Sequence, residues 1–318
     1  MSKVFITDYI LNPNIEKKIL KNSLTNNINN KEISILLVWH ELINKAYLNR
    51  FPKLKAVLRY GVGYDNIDLK EIKKRKLLFC NNPDYGINEV SDTALSAILS
   101  ISRGIYKYNE LSKNLPINWQ LNTLKKIKRS SETIIGIIGA GRIGSILINK
   151  LNTIGYKTAF YDPYKEAGYD KVIKSKRVLD LIELAKISDI ISIHCSSNDT
   201  SRGMINKKFI LNMKKGSSLV NTARGDLIKD LNDFCEPLIN NKIDSIFLDV
   251  LNEEPPKKTK FIEKWLNDKS FNSRIFINPH TSYYSKHSFI EMRKKISLNA
   301  KCILKNLTPE NIIINASK

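Results

Sequence analysis

Along most of this chain short apolar runs alternate with longer periodic segments, and no other feature narrows the fold so far. From Thr133 onward the runs are Thr133 to Ile138, Lys157 to Tyr161, Asp189 to Ile193, Ser217 to Val220, Ile243 to Leu248 and Ile275 to Ile277, all rich in branched or aromatic residues. Strands separated by helical stretches build βαβ units, whose parallel sheet is covered on both faces. Six such strands predict a complete doubly wound sheet. The same alternation comes earlier, at Val4 to Ile6, Ile33 to Val38, Lys55 to Leu58 and Leu77 to Phe79. Two doubly wound parallel-sheet α/β domains are therefore expected, and 318 residues suit about two domains of ordinary size.

Between the two series, Asn88 to Leu111 carries Val90, Ala94, Ala97, Ile98, Ile101 and Ile105 at three- and four-residue steps. That spacing predicts one long helix able to cross from one domain to the other. A polar, basic segment follows from Asn114 to Ser131. After the second series, Ser285 to Leu307 reads as a helix ahead of a short apolar tail, Ile312 to Ile314.

The composition excludes several classes. A hydrophobic content of 42% with 13 Gly and 10 Pro rules out disorder and collagen. The four cysteines, Cys80, Cys195, Cys235 and Cys302, have no C-x-x-C spacing, which argues against a zinc ribbon, a disulfide scaffold or a bound metal and suits a reducing compartment. Asp8 arrives too early for a signal peptide, and the most apolar stretch, Thr133 to Leu151, is broken by glycines and Arg142, so neither export nor a membrane span is expected. A cytoplasmic protein is the expectation. The net charge of +21 is mostly scattered lysine without interleaved aromatics, so a nucleic-acid partner is not expected.

One strand ends in a specific turn. Thr133 to Ile138 runs into Gly139-Ala140-Gly141-Arg142-Ile143-Gly144 and then into a helical segment, the context a dinucleotide-binding G-x-G-x-x-G requires. Gly139 permits the tight turn, Gly141 lets a pyrophosphate approach the backbone, and Gly144 lets the helix pack on the sheet; the amides that follow hold phosphate. Asp162, at the end of the next strand, is placed to accept from the adenosine ribose hydroxyls, which favours NAD over NADP.

Hydride transfer to a ketone also needs a cation for the substrate carboxylate, a proton donor and a group that tunes the donor. Arg224 in Asn221-Thr-Ala-Arg-Gly225, Glu254 in Glu253-Glu254-Pro255 and His280 in Pro279-His-Thr281 each follow an apolar strand. All three would lie at the carboxyl edge of the sheet, where doubly wound folds bind ligands.

With these motifs, Leu54 to Asp68, Asn82 to Ala94, Ser188 to Cys195 and Pro279 to Ser285, the chain resembles the D-isomer-specific 2-hydroxyacid dehydrogenase family, in a branch similar to C-terminal binding proteins and phosphoglycerate dehydrogenase. The resemblance implies a Rossmann NAD-binding domain, residues 102–284, inserted in a discontinuous flavodoxin-like substrate domain, residues 1–101 and 285–318. It implies that Arg224 binds and polarises a small 2-keto acid, that His280 is the acid/base, and that Glu254 hydrogen-bonds His280 and raises its pKa. Of the adjacent acids Glu254 is chosen because it directly precedes proline, with Glu253 the fallback.

By the same resemblance Val62 and Gly63, with Arg59 nearby, meet the substrate carboxylate. Arg142, Ile143, His194, Cys195, the Thr222-Ala223 backbone and Asp249 line the cofactor, and Tyr283 shapes the substrate pocket where relatives carry Trp. A homodimer is implied. Two alternatives stay open: a 3-phosphoglycerate dehydrogenase, which the basic balance would suit, and an NAD-responsive binding protein.

Overall fold

The computed structural model describes residues 2–8, 10, 12–113, 119, 123–124 and 126–315. The remainder of the basic segment expected at 114–131 lies outside the described residues. The chain divides into two compact units, one of Met1–Gly86 with Tyr284–Lys318 and one of Ile87–Tyr283.

The sheet of the first unit has six strands in the order Ile312–Ile314, Leu78–Cys80, Ala56–Arg59, Ile33–Val38, Lys3–Ile6, Leu24–Thr25. Ile33–Val38 is buried at every position, as a strand covered on both faces must be. The expected apolar tail is itself a strand, and it pairs antiparallel with Leu78–Cys80, so this sheet is mixed and not wholly parallel. Its isoleucines cover an edge that would otherwise present unpaired backbone groups, and Ile314 joins Phe79 and Leu77 in the core.

Two distant helices close this unit. Lys286–Leu304 begins at Ser285, whose hydroxyl accepts from Ser288 N–H at 3.0 Å while Ser288 Oγ accepts from Ser285 N–H at 2.8 Å. Asn14–Leu20 packs along it. Between them Arg293 Nη2 and Nε reach Glu16 Oε2 and Oε1 at 2.6 and 2.9 Å, and Tyr60 Oη donates to Oε1 at 3.1 Å. Glu16 has no exposed surface and Arg293 is 7% exposed. Desolvation and the adjacent Glu16 carboxylate push the Tyr60 phenol well above its ordinary value, so it stays a donor.

The second unit holds seven parallel strands in the order Ile275–Ile277, Ile243–Leu248, Ser217–Asn221, Ile190–Ile193, Ile134–Ile138, Lys157–Tyr161, Lys176–Arg177. The seventh, Lys176–Arg177, was not expected, because two charged residues at a sheet edge carry no apolar signal. Alternate side chains feed two cores. Ile246 and Leu248 join Ile138, Ile193 and Phe209 on one face, whereas Phe247 joins Ile135, Ile137 and Phe160 on the other. Chain order reverses between Ile134–Ile138 and Ile190–Ile193, the switch point beside which such sheets bind ligands.

Two expectations need correction. The stretch 88–111 is not one helix but two, Ile87–Ser102 and Ile105–Ser112, broken where Gly104 takes φ +65°. The division between units falls at 86/87 and 283/284, not at 101/102 and 284/285. The reason is packing: Ala94, Ala97 and Ile98 bury with Leu147, Leu151 and Val220 of the second unit. Lys150 Nζ also reaches Asp92 at 2.6 Å and Ser91 at 2.8 Å. Among the described residues no helix is long and apolar enough to cross a membrane.

Replacing Arg293 by Ala strands a buried carboxylate, and the expected loss is about 3–5 kcal/mol. Urea unfolding followed at Tyr and Trp emission measures it, and a change below about 1 kcal/mol would mean that the pair is not buried in solution.

Candidate active site

The glycine turn leaves the carboxyl end of Ile134–Ile138. Gly139 sits at φ +91°, and a Cβ there would stand 2.6 Å from Cys195 N; a Cβ on Gly144 would stand 2.1 Å from Gly139 O. Both positions therefore demand glycine, for the turn and for close helix approach. A Cβ on Gly141 would meet nothing within 4 Å, so the backbone of the helix Arg142–Thr153, which starts with no side-chain cap, opens onto free space. The cradle fits a dinucleotide pyrophosphate, with the Arg142 and Ile143 amides in the first turn.

Asp162 follows the neighbouring strand. Its Oδ2 accepts from Ala140 N–H at 2.9 Å and its Oδ1 from Tyr164 N–H at 3.0 Å, which fixes the carboxylate beside the turn with lone pairs left for hydroxyl donors. Lys165 Nζ lies 4.4 Å over the Tyr169 ring. Across the turn, His194 pairs Nε2 with Ser192 Oγ at 2.8 Å, and burial pushes the ring down to about 3, so it is neutral. Cys195 abuts Gly139, and burial, with the Asp162 and Asp226 carboxylates, pushes its thiol up to about 12. It is no nucleophile at neutral pH.

The candidate catalytic residues are positioned through backbone contacts. Asn221, fully buried, accepts from Ala223 N–H at 3.0 Å and donates Nδ2 to Arg224 O at 2.8 Å, shaping the loop that carries Thr222, Ala223 and Arg224. A Cβ on Gly225 would lie 2.0 Å from Leu251 C, so glycine lets this loop press against the one that carries Glu254. The sequence reading missed Asn221 and Gly225 as positioning residues. Their signal was an amide and a glycine flanking a loop after a buried strand.

Asp249, 2% exposed, accepts from Thr281 N–H at 3.0 Å and from Ser282 N–H at 3.2 and 3.1 Å, and its carbonyl accepts from His280 N–H at 2.9 Å. The side chain expected to meet the nicotinamide thus clamps the 281–282 backbone. That clamp holds His280 at φ +55°, a conformation non-glycine residues rarely adopt.

His280 Nδ1 lies 2.7 Å from Glu254 Oε2, and Leu251 N–H donates to Oε1 at 2.9 Å. Burial raises the Glu254 pKa, but the His280 hydrogen bond, the Leu251 amide and the charges of His280 and Arg224 outweigh it and hold the carboxyl below its ordinary value. An ionised carboxylate only accepts, so Nδ1 donates and Nε2 is left to face other chemistry. The fallback Glu253 instead pairs with Lys257 at 2.8 Å. Tyr283, half-buried, ends this unit.

The remaining expected substrate residues belong to the first unit. Arg59 ends Ala56–Arg59 and donates Nε to Asn66 Oδ1 at 3.2 Å, with its guanidinium across Gly61. Val62 is 39% exposed, and its carbonyl accepts from Asn81 Nδ2 at 2.7 Å; Gly63 follows in the same loop.

Residues 95–282 match the family model for the D-isomer specific 2-hydroxyacid dehydrogenase, NAD binding domain. C-terminal-binding protein 1 of Caenorhabditis elegans is 30% identical over 277 residues, 84% of this chain but only 37% of that protein. Glyoxylate reductase of Thermococcus litoralis is 28% identical over 277 residues, 85% of this chain and 80% of that one. A solved D-lactate dehydrogenase from Aquifex aeolicus, complexed with NAD and lactic acid, superposes with a TM-score of 0.85 at 25% identity, covering 99% of each chain.

Two outcomes are expected. Gly144→Ala pushes the helix off the turn and lowers NADH affinity at least tenfold by fluorescence titration, whereas unchanged affinity would remove the turn from cofactor binding. Because the folded Glu254 pKa is depressed, its stabilising contribution is present above the unfolded carboxyl value and is lost as pH falls through the folded one. Wild type should exceed Glu254→Gln in urea midpoint at pH 7, and the gap should narrow as pH falls below the ordinary carboxyl value of 4.5; a gap that does not change with pH would exclude the carboxylate as its source.

Proposed function

The chain belongs to the D-isomer specific 2-hydroxyacid dehydrogenase family, and we propose that it interconverts a small 2-keto acid and its D-2-hydroxy acid. Bound NAD, held by Gly139, Gly141, Arg142, Ile143, Gly144, Asp162, His194, Cys195, Thr222 and Ala223, supplies the hydride chemistry. Arg224 binds the substrate carboxylate and draws charge onto the carbonyl oxygen. His280 delivers a proton to that oxygen from Nε2 in reduction and removes it at Nε2 in oxidation. Glu254 orients the ring by occupying Nδ1 and offsets the positive charge that the ring carries when doubly protonated.

The observation that supports this reading most is the 2.7 Å contact of His280 with an ionised Glu254, beside the loop that carries Arg224. General acid–base catalysis contributes about 10²–10⁴-fold. Purified protein should oxidise NADH in preference to NADPH with at least one member of a panel of glyoxylate, pyruvate, hydroxypyruvate, phosphohydroxypyruvate and bulkier 2-keto acids. His280→Gln should lose turnover on that scale while keeping NADH affinity. A variant with wild-type kcat would remove His280 from the reaction, and tight NADH binding without any turnover would favour a cofactor-sensing protein.

A further inference from the structure

Two loops flank the glycine turn, and a side-chain hydrogen bond joins them over it. Lys157–Tyr161 and Ile190–Ile193 lie on either side of Ile134–Ile138 in the sheet. The loop after the first carries Tyr164, and the loop after the second carries Thr200. Tyr164 Oη lies 2.8 Å from Thr200 Oγ1. Two inter-strand spacings are about 10 Å, so the contact crosses the carboxyl end of the strand that bears the turn, on the side of Asp162.

Both anchors are fixed. Asp162 Oδ1 holds the Tyr164 amide, while Arg177 donates Nη1 to Glu166 O at 2.9 Å and Nη2 to Lys165 O at 2.5 Å. Opposite, Asn198 Oδ1 accepts from Thr200 N–H at 2.9 Å and from Thr200 Oγ1 at 2.7 Å. The Thr200 proton is thereby committed, since the amide oxygen can only accept, and the Tyr164 hydroxyl must be the donor across the gap. The Tyr164 side chain is otherwise open to water, with the residue 73% exposed, so it can swing away for little more than this one hydrogen bond.

We propose that Tyr164 and Thr200 form a latch across the adenosine end of the cofactor crevice, which must open before a dinucleotide can seat. This rests on the NAD reading above. A closed latch reduces the fraction of protein competent to bind and lowers the association rate by that fraction. Stopped-flow NADH binding, read by nicotinamide fluorescence in the absence of any keto acid, tests it. Tyr164→Phe and Thr200→Val should each raise the association rate constant about 2- to 10-fold, the scale of one accessible hydrogen bond. Thr200→Ser, which keeps the hydroxyl, should retain the wild-type rate. Unchanged or slower association in either hydroxyl-deleting variant, with NADH still bound by wild type, would overturn the latch alone. Failure of wild type itself to bind NADH would remove the cofactor reading and the latch with it.

Discussion

Asp249 is the joint of the candidate site. Its N–H donates to Asn221 O at 2.9 Å and its carbonyl accepts from His280, while its carboxylate takes the Thr281 and Ser282 amides. One buried residue thereby couples the strand end before Arg224 to the loop that carries His280. A carboxylate this deep is tolerated because backbone amides surround it, and removing those amides would leave a desolvated charge. The unusual His280 backbone, at φ +55°, is maintained by the same contacts, since a sparsely populated conformation persists only where its surroundings hold it.

The other half of the site depends on what is missing. Gly139, Gly144 and Gly225 each stand where a single added carbon would strike backbone, at Cys195, Gly139 and Leu251. Loops after four different strands can therefore approach closely enough to present amides and side chains at one edge of the sheet. The parallel sheet aligns those strand ends, and the glycines remove the last steric obstacles.

Much of this was legible in the chain itself. Six of the seven strands of the second sheet could be read because each is a short run rich in branched or aromatic residues in a sheet covered on both faces. Arg224, Glu254 and His280 could be singled out as candidates because each follows such a run within a specific motif, and the contact of His280 with Glu254 is what the structure adds. Lys176–Arg177 could not, because an edge strand needs no apolar side chains. The break at Gly104 was hidden by an apolar periodicity that continues through it, since Ile105 falls in phase with Ile101 and Ile98.

Sequence by itself determined the six apolar strands of the second sheet, the glycine turn and the chemical identity of the candidate side chains Arg224, Glu254 and His280, because these depend on local hydrophobic pattern, local backbone freedom and residue type. Tertiary structure alone decided which unit the helix Ile87–Ser102 joins, that Asp249 clamps the His280 loop, that Glu16 meets Arg293 across 277 positions and that Tyr164 reaches Thr200. Those outcomes depend on which surfaces and polar groups come together once the chain is compact. A buried donor or acceptor must find its partner in space, and neither periodicity nor composition records where that partner stands.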